Sequence, residues 1–82
     1  MKIDELKRAH VLSSHNRAQL DNSTLCGCFY CLRIFYPKLI AEWCDDNQTA
    51  ICPYCGIDSI IYDSQFYPIS TDFLKQMKDY WF

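Results

Sequence analysis

The sequence predicts a small α+β zinc-binding domain, and three features of its 82 residues lead to this fold class. Two Cys-x-x-Cys pairs, residues 28–31 and 52–55, are separated by a 20-residue spacer. Apolar residues recur at helical spacing over residues 73–81. Half of the residues are apolar or cysteine and only two are glycine, which is a globular composition. We expect one domain over residues 1–82, with a zinc-ribbon-like core of two knuckles and short strands, flanked by helices at both ends.

The four cysteines of the two pairs are the candidate metal ligands. A Cys-x-x-Cys turn lets two thiolates converge on one ion, and two such turns at this spacing are typical of a closed tetrahedral zinc site. The predicted ligands of one Zn²⁺ per chain are Cys28, Cys31, Cys52 and Cys55. A four-thiolate tetrahedron also accepts iron, so the pattern leaves the choice between zinc and iron open. Because a structural zinc contributes about 10–16 kcal/mol of binding free energy, we expect the metal-free chain to be largely unfolded.

The segment before the first pair, residues 1–24, is predicted to be helical. Apolar residues follow roughly helical spacing through Leu12, with charged side chains between them. Ser13 or Ser14 offers an N-cap for a second short helix that ends near Leu20. The polar run Asp-Asn-Ser-Thr that follows is a chain breaker.

The predicted metal core extends over residues 25–62 and begins with the first pair. An apolar run after that pair is expected to pack against the metal site: Leu32, Ile34 and Phe35. Pro37 suits the first position of a short helix, where its missing N–H costs nothing. Ile40 and Trp43 then fall three apart on one face, which predicts one or two helical turns. Residues 45–48 are predicted to form a turn.

Short strands are predicted on both sides of the second pair. Residues 49–51 lead into it, and Gly56 supplies the positive φ that such a knuckle needs. Asp58 is expected to accept hydrogen bonds from nearby backbone N–H groups. A buried strand is predicted to contain the apolar residues after the second pair: Ile57, Ile60, Ile61 and Tyr62.

The clearest amphipathic stretch is the C-terminal segment, residues 70–82. Ser70 or Thr71 is expected to cap a helix, and Asp72 lies favourably in its first turn against the helix dipole. We expect this helix to pack on the knuckle layer and to supply much of the core. Its apolar positions are Phe73, Leu74, Met77, Tyr80 and Trp81.

Two cysteines and two histidines lie outside the predicted site. Cys26 offers an alternative, because it could replace Cys31 as the chelating partner of Cys28. Cys44 is predicted to be a small buried apolar residue. Solvent-facing or capping roles are expected for the two histidines, His10 and His15.

Two enzymatic interpretations are weighed against the metal site. Cys-Pro-Tyr-Cys, here at residues 52–55, is also the active-site motif of glutaredoxins, where it lies early in the chain at a helix N-terminus. Here 27 residues follow the motif, and Gly56 comes next instead of a helix-forming run. Some metal-dependent nucleases of the HNH type carry Cys-x-x-Cys pairs, but they need a histidine after the first pair. No histidine follows residue 15, so we expect no enzymatic activity.

The chain is predicted to be a cytoplasmic protein without a membrane partner. It has no apolar run of 18 residues, and its first residues lack the apolar segment of a signal peptide. In reducing compartments, paired cysteines hold metal more often than they form disulfides.

Two kinds of partner are considered. A protein partner, bound by an interaction or adaptor module, is favoured by aromatic residues in excess of what a small core can bury: Tyr30, Tyr36, Phe66, Tyr67 and Tyr80. The alternative is a nucleic-acid-associated regulator. Residues 1–38 carry six basic and three acidic side chains, whereas residues 39–82 carry two basic and seven acidic ones. Any basic surface would therefore use Lys7, Arg8, Arg17, Arg33 and Lys38.

The chain resembles a family of small bacterial proteins that are described only as cytoplasmic or hypothetical proteins. The resemblance covers roughly residues 13–82 and is carried by Cys-Gly-Cys-Phe-Tyr-Cys at residues 26–31, Trp43, and the run Thr-Ala-Ile-Cys-Pro-Tyr-Cys-Gly-Ile-Asp-Ser at residues 49–59. The ending from Tyr67 to Phe82 is similar too. The resemblance implies a bacterial, phage or prophage protein with a zinc-ribbon-like core, and it implies no particular activity.

Overall fold

A computed structural model describes residues 2–82 as a small α+β fold. The helices and strands of this part of the chain are, in order, α1 (Ile3–His10), α2 (Arg17–Asp21), β1 (Cys26–Cys28), β2 (Ile34–Phe35), β3 (Trp43–Cys44), β4 (Thr49–Ala50), β5 (Ile60–Tyr62) and α3 (Thr71–Trp81). Short 3₁₀ helices cover Val11–Ser13 and Pro37–Leu39. None of the helices within residues 2–82 has the length and apolar character needed to cross a bilayer.

The strands form two small antiparallel sheets. In the three-stranded sheet β1 lies between β2 and β5, with Cys26 opposite Tyr62 and Cys28 opposite Ile60. Strands β3 and β4 form a separate hairpin in which Trp43 lies opposite Ala50.

The side chains of the three-stranded sheet divide the core into two clusters. Because successive residues of a strand point to opposite faces, Ile60 packs on one side of the sheet and Ile61 on the other. The thiol-side cluster buries Leu20, Cys26, Cys28, Phe35, Ile40, Ala50, Cys52 and Ile60. The helix-side cluster buries Leu6, Ala9, Phe29, Ile61, Phe73, Leu74 and Met77.

Helix α3 begins where the sequence predicts and packs on the helix side of the sheet. The Ser70 hydroxyl accepts a hydrogen bond from the Phe73 backbone N–H at 3.1 Å, which confirms the predicted cap. Gly27 lets the helix approach closely, since a Cβ there would lie 2.7 Å from Leu74 Cδ1. Two predicted core positions are wrong, because Tyr80 and Trp81 remain 37% and 38% exposed.

The N-terminal segment is helical as predicted, but its second helix is not capped by Ser13 or Ser14. The residue before α2 is Asn16, whose side chain makes no cap hydrogen bond to the helix. Its amide is buried and instead donates to the Ile60 carbonyl at 2.9 Å. Its side-chain oxygen accepts from the Ala50 N–H at 3.2 Å. Asn16 therefore connects the helical segment to both sheets, which overrides a local capping role.

The region between the two cysteine pairs differs from the helical turns predicted around Ile40 and Trp43. The 3₁₀ helix starts at Pro37 as expected, but Trp43 lies in strand β3. The predicted turn follows it as the connection between β3 and β4. In this turn three consecutive residues adopt left-handed backbone conformations: Asp45, Asp46 and Asn47. Aspartate and asparagine adopt this conformation more readily than other non-glycine residues, which lets the hairpin close.

Three predictions for apolar residues in the core are wrong in part. In the run after the first pair, Phe35 packs in the thiol-side cluster. Ile34, however, is 39% exposed, and Leu32 packs against the helix-side cluster. Strand β5 begins at Ile60, so Ile57 belongs to the preceding loop and is only half-buried.

Candidate metal centre

The structure brings the four predicted ligands together at one edge of the three-stranded sheet. Cys28 ends strand β1, and the turn after it carries Cys31. Cys52 and Cys55 lie in the loop between β4 and β5. Their four Sγ atoms all lie within 4.8 Å of one another, so this group could hold a metal ion.

The distances between the sulfurs suit a tetrahedral ion better than disulfide bonds. The Sγ atoms of Cys28 and Cys55 are 3.6 Å apart, and those of Cys31 and Cys52 are 3.7 Å apart. Four sulfurs at the usual Zn–S distance from a central ion would form a tetrahedron with edges of about 3.8 Å. A disulfide needs about 2.05 Å, and all four thiols are free. The donor set and its spacing therefore fit a metal of tetrahedral preference.

The two knuckles repeat the same backbone geometry. The Leu32 N–H donates to the Cys28 carbonyl at 2.9 Å, and the Gly56 N–H donates to the Cys52 carbonyl at 3.0 Å. Leu32 and Gly56 have φ values of 67° and 78°, so each knuckle turns through one left-handed residue. This confirms the positive φ expected of Gly56. In the first knuckle Leu32 adopts the same conformation against its steric preference, and its side chain packs on the helix-side cluster.

The inner ligand of the first knuckle is surrounded by hydrogen-bond donors. Cys28 is completely buried, and its sulfur accepts the backbone N–H groups of Tyr30 at 3.4 Å and Cys31 at 3.5 Å. The buried Ser59 hydroxyl lies 3.0 Å from the same sulfur. Because a thiolate is stabilised by donors pointing at it, these contacts favour the charged form that binds metal.

The pKa of the Cys28 thiol is shifted in the opposite direction from those of Cys31 and Cys55. Burial acts to raise the pKa of Cys28, but the hydrogen bonds from Ser59, Cys31 and Tyr30 outweigh it and hold that pKa below its usual value. Burial raises the pKa of Cys31, and it raises the pKa of Cys55 to about 12, with neighbouring thiols adding to both effects. Several thiolates cannot crowd together without a cation, and a bound dication would stabilise them all.

The other two cysteines, Cys26 and Cys44, lie outside the four-cysteine cluster. Cys26 is fully buried, and its thiol donates to the Phe35 carbonyl at 3.4 Å within the thiol-side cluster. Burial is also the main reason why the pKa of Cys26 rises to about 12. The alternative chelate of Cys26 with Cys28 is therefore wrong, because Cys31 occupies the fourth position of the cluster. Cys44 was expected to be buried, yet it is half-exposed at the edge of the hairpin.

The two histidines lie outside the cysteine cluster. His10 is half-buried in the last turn of α1, and its ring packs against Trp81 with a centroid distance of 4.1 Å and the ring planes tilted by 40°. His15 is exposed, as expected, and its Nδ1 lies 2.8 Å from the Ser14 hydroxyl.

The loop after Cys55 leads into a strand and not into a helix. A helix N-terminus commonly lowers the pKa of the reactive thiol in Cys-x-x-Cys enzymes. Here the chain turns through Gly56 and next forms strand β5.

Ser59 contacts the cysteine cluster, which the sequence did not predict. Its neighbour Asp58 was expected to accept backbone hydrogen bonds, but Asp58 is exposed, and Ser59 is the residue that points inward. The one signal in the sequence was a serine directly before the two isoleucines of the predicted strand. Its partner could not be read from the sequence, because Cys28 lies 31 residues away.

Comparisons of the chain with protein-family models, with curated proteins and with solved structures find no match. The case for a function therefore depends on the site and on the surface.

Proposed function

We propose that this protein is a small zinc-binding interaction module, in which a structural Zn²⁺ orders a zinc-ribbon-like core and the surface binds another protein. The observation that carries the proposal is the closed set of four thiols at tetrahedral spacing. Four cysteine ligands leave no open coordination position for substrate or water, which is the property that separates structural from catalytic zinc sites. We accordingly expect no enzymatic activity.

An aromatic surface at the end of α3 supports a protein partner. Trp81 and Phe82 are 38% and 61% exposed, although they are large apolar side chains. The Phe82 ring packs edge-on against Tyr30 at 4.9 Å, and Trp81 packs edge-on against Tyr80 at 5.0 Å. Rings held by neighbouring rings lose little conformational entropy on binding, and tyrosine and tryptophan are enriched in the energetically important parts of interfaces.

The metal part of the proposal is tested by native mass spectrometry of the purified protein, together with its absorption spectrum. We expect the mass of one zinc ion per chain and a colourless solution. A red, iron-containing protein would overturn the choice of zinc but keep the four-thiolate site. A folded protein without metal would overturn the site itself.

The second candidate is a nucleic-acid-associated role, and three pairs of basic and aromatic side chains favour it. Arg17 lies 4.3 Å from the Trp43 ring, Arg33 lies 4.5 Å from the Tyr54 ring, and Lys38 lies 5.7 Å from the Tyr36 ring. A cavity of about 440 Å³ is lined by members of two of these pairs: Tyr36, Lys38 and Trp43. Rings for base stacking beside cations for phosphates are the elements of single-strand binding sites.

A salt titration separates the two candidates. Binding of an RNA or DNA oligonucleotide should weaken steeply as salt rises, and Arg33→Gln should weaken it further. Binding of a protein partner through the α3 surface should fall much less steeply with salt, and Phe82→Ala should weaken it whereas Arg33→Gln should not. For the protein-partner proposal we expect no oligonucleotide binding above background at physiological salt. Salt-sensitive binding that requires Arg33 would replace it with the second candidate.

A further inference from the structure

A second cavity, of about 370 Å³, lies between the metal centre and the end of α3. We name it the acidic pocket. Its lining includes two acidic residues, Asp45 and Asp58, the aromatic residues Trp81 and Phe82, and Ser59. One carboxylate oxygen of Asp45 accepts the hydroxyl of Thr49 at 2.9 Å. The carboxylates come from the β3–β4 turn and the loop before β5, whereas the rings come from the end of α3. Three segments that are distant in sequence therefore meet around one concave space.

The charge of the acidic pocket has one sign. The described residues that line it include no lysine or arginine, and His10 is the one histidine among them. The two carboxylates also affect the nearby thiol of Cys44. Burial is the main cause that raises the pKa of this thiol, and the negative charges of Asp45 and Asp58 raise it further. A raised thiol pKa beside two carboxylates is the expected response to a negative potential. The pocket is therefore electrostatically complementary to a cation.

The aromatic wall of the pocket is held in place before any ligand arrives. The Trp81 ring packs against the His10 ring at a centroid distance of 4.1 Å, and its indole N–H donates to the Leu6 carbonyl at 3.2 Å. The Phe82 ring lies 5.7 Å from the buried ring of Phe29. Anchored rings beside carboxylates attract cations through their π faces and also cover the methylene groups of long side chains.

We propose that the acidic pocket binds a lysine or arginine side chain from the protein partner. The cation would lie toward Asp45 and Asp58, and its methylene chain would lie along Trp81 and Phe82. This inference rests on the proposed interaction function and specifies the chemistry of the partner: a basic segment. The partner contact continues onto the aromatic surface, because Trp81 and Phe82 belong to both.

The test uses the two tryptophans as reporters, because only Trp81 lines the acidic pocket, while Trp43 lines the other cavity. Capped Gly-Lys-Gly and Gly-Arg-Gly peptides are titrated into the metal-loaded, ¹⁵N-labelled protein, with capped Gly-Gln-Gly as the neutral probe. We expect saturable shifts of the Trp81 indole N–H signal at millimolar peptide, an unmoved Trp43 signal, and no saturation with the neutral peptide.

A pair of charge-matched variants locates the binding site. Asp58→Asn should weaken binding of the cationic peptides by about three- to fivefold, the effect expected for a partly exposed charge pair. Asp21→Asn makes the same charge change at the other cavity and should leave affinity unchanged. Both aspartates are exposed, so neither change is expected to disturb the fold.

Three results would overturn the inference. They are an unmoved Trp81 signal in a folded, metal-loaded protein, equal binding of the neutral peptide, and equal loss of affinity in the two variants. None of these would affect the zinc proposal, because metal content and signal dispersion are measured on the same sample. Loss of the interaction function alone would instead show as a protein that binds the peptides but captures no partner through its α3 surface.

Discussion

The two sides of the three-stranded sheet are packed with different kinds of side chain. On the helix side, α1 and α3 cover the sheet with an apolar cluster that includes Phe29, Ile61 and Leu74. On the thiol side, cysteines replace much of the apolar volume, and the covering segments are knuckles, short strands and the five-residue helix α2. The helix side resembles the core of an ordinary small domain, whereas the thiol side lacks regular elements long enough to bury a core.

This difference indicates what a bound metal would contribute. Apolar burial stabilises by about 25 cal/mol per Å², so two-residue strands and tight turns gain little from it. Structural zinc supplies a binding free energy larger than the whole stability of a typical small domain. We therefore expect the thiol side to depend on a bound ion and, because β5 contributes side chains to both clusters, the helix side to depend on it indirectly.

The largest expected effect comes from removing one ligand on the thiol side. Cys52→Ser should abolish stoichiometric zinc binding and leave the chain largely unfolded, because the lost binding free energy exceeds a stability of about 5–15 kcal/mol. Metal analysis and circular dichroism measure both effects. Cys44→Ser is the matched control, since it removes a thiol outside the cluster and should change stability by less than about 0.5 kcal/mol. A folded Cys52→Ser protein would contradict the dependence of the thiol side on metal.

A cavity on the helix side should have a smaller effect and spare the metal. Leu74 is completely buried against Gly27, so Leu74→Ala should lower the free energy of unfolding by about 2–5 kcal/mol. Zinc stoichiometry should remain one per chain. Denaturant unfolding of the zinc-loaded protein measures the change, and Lys75→Ala on the exposed neighbour is the control. If Leu74→Ala lost zinc as completely as Cys52→Ser, the two sides would not be separable.

Removal of the Ser59 hydroxyl should lower the metal affinity of the site while leaving its four cysteines in place. Ser59→Ala deletes the side-chain hydrogen bond to the Cys28 sulfur, and loss of such a partner typically lowers metal affinity about 10- to 100-fold. Competition with a chromophoric chelator measures the affinity. Ser13→Ala is the control, because that buried hydroxyl donates to the His10 carbonyl and not to a thiol. Equal zinc affinities for the two variants would count against a role for Ser59.

The smallest effect is expected at the left-handed residue of the second knuckle. Gly56 has open space around its Cα, so the effect of a substitution there arises from backbone conformation alone. Gly56→Ala should lower the free energy of unfolding by about 1–2 kcal/mol. Gly56→Asn should lower it less, because asparagine tolerates positive φ. Thermal unfolding of the zinc-loaded variants measures both changes. Equal losses of stability in the two variants would show that the positive φ at residue 56 is not the cause.

The clustering of the four cysteines was predictable because its information is local. Each Cys-x-x-Cys turn places two sulfurs together within four residues. The glycine after the second turn, Gly56, indicated a positive φ at that position. The equivalence of the two knuckles was hidden, because the first one uses Leu32 at the same φ. Helix α3 was predictable for a similar reason, since its periodicity and its Ser70 cap lie within one segment.

Features that depend on distant partners could not be read from the sequence. Trp43 suited a helical face, but pairing with Ala50 places it in a strand. Asn16 was one polar residue among several until Ile60 and Ala50 supplied its hydrogen-bond partners. The acidic pocket forms where three separate segments of the chain lie side by side, and no local sequence pattern predicts that arrangement.

Thermal unfolding followed by circular dichroism, with and without a strong chelator, tests the dependence of the fold on its metal most directly. We expect a cooperative transition for the zinc-loaded protein, loss of that transition after chelation, and its recovery when zinc is added back. A chelated, metal-free protein that still unfolds cooperatively at the same temperature would contradict the account, because the thiol side would then be stable without an ion.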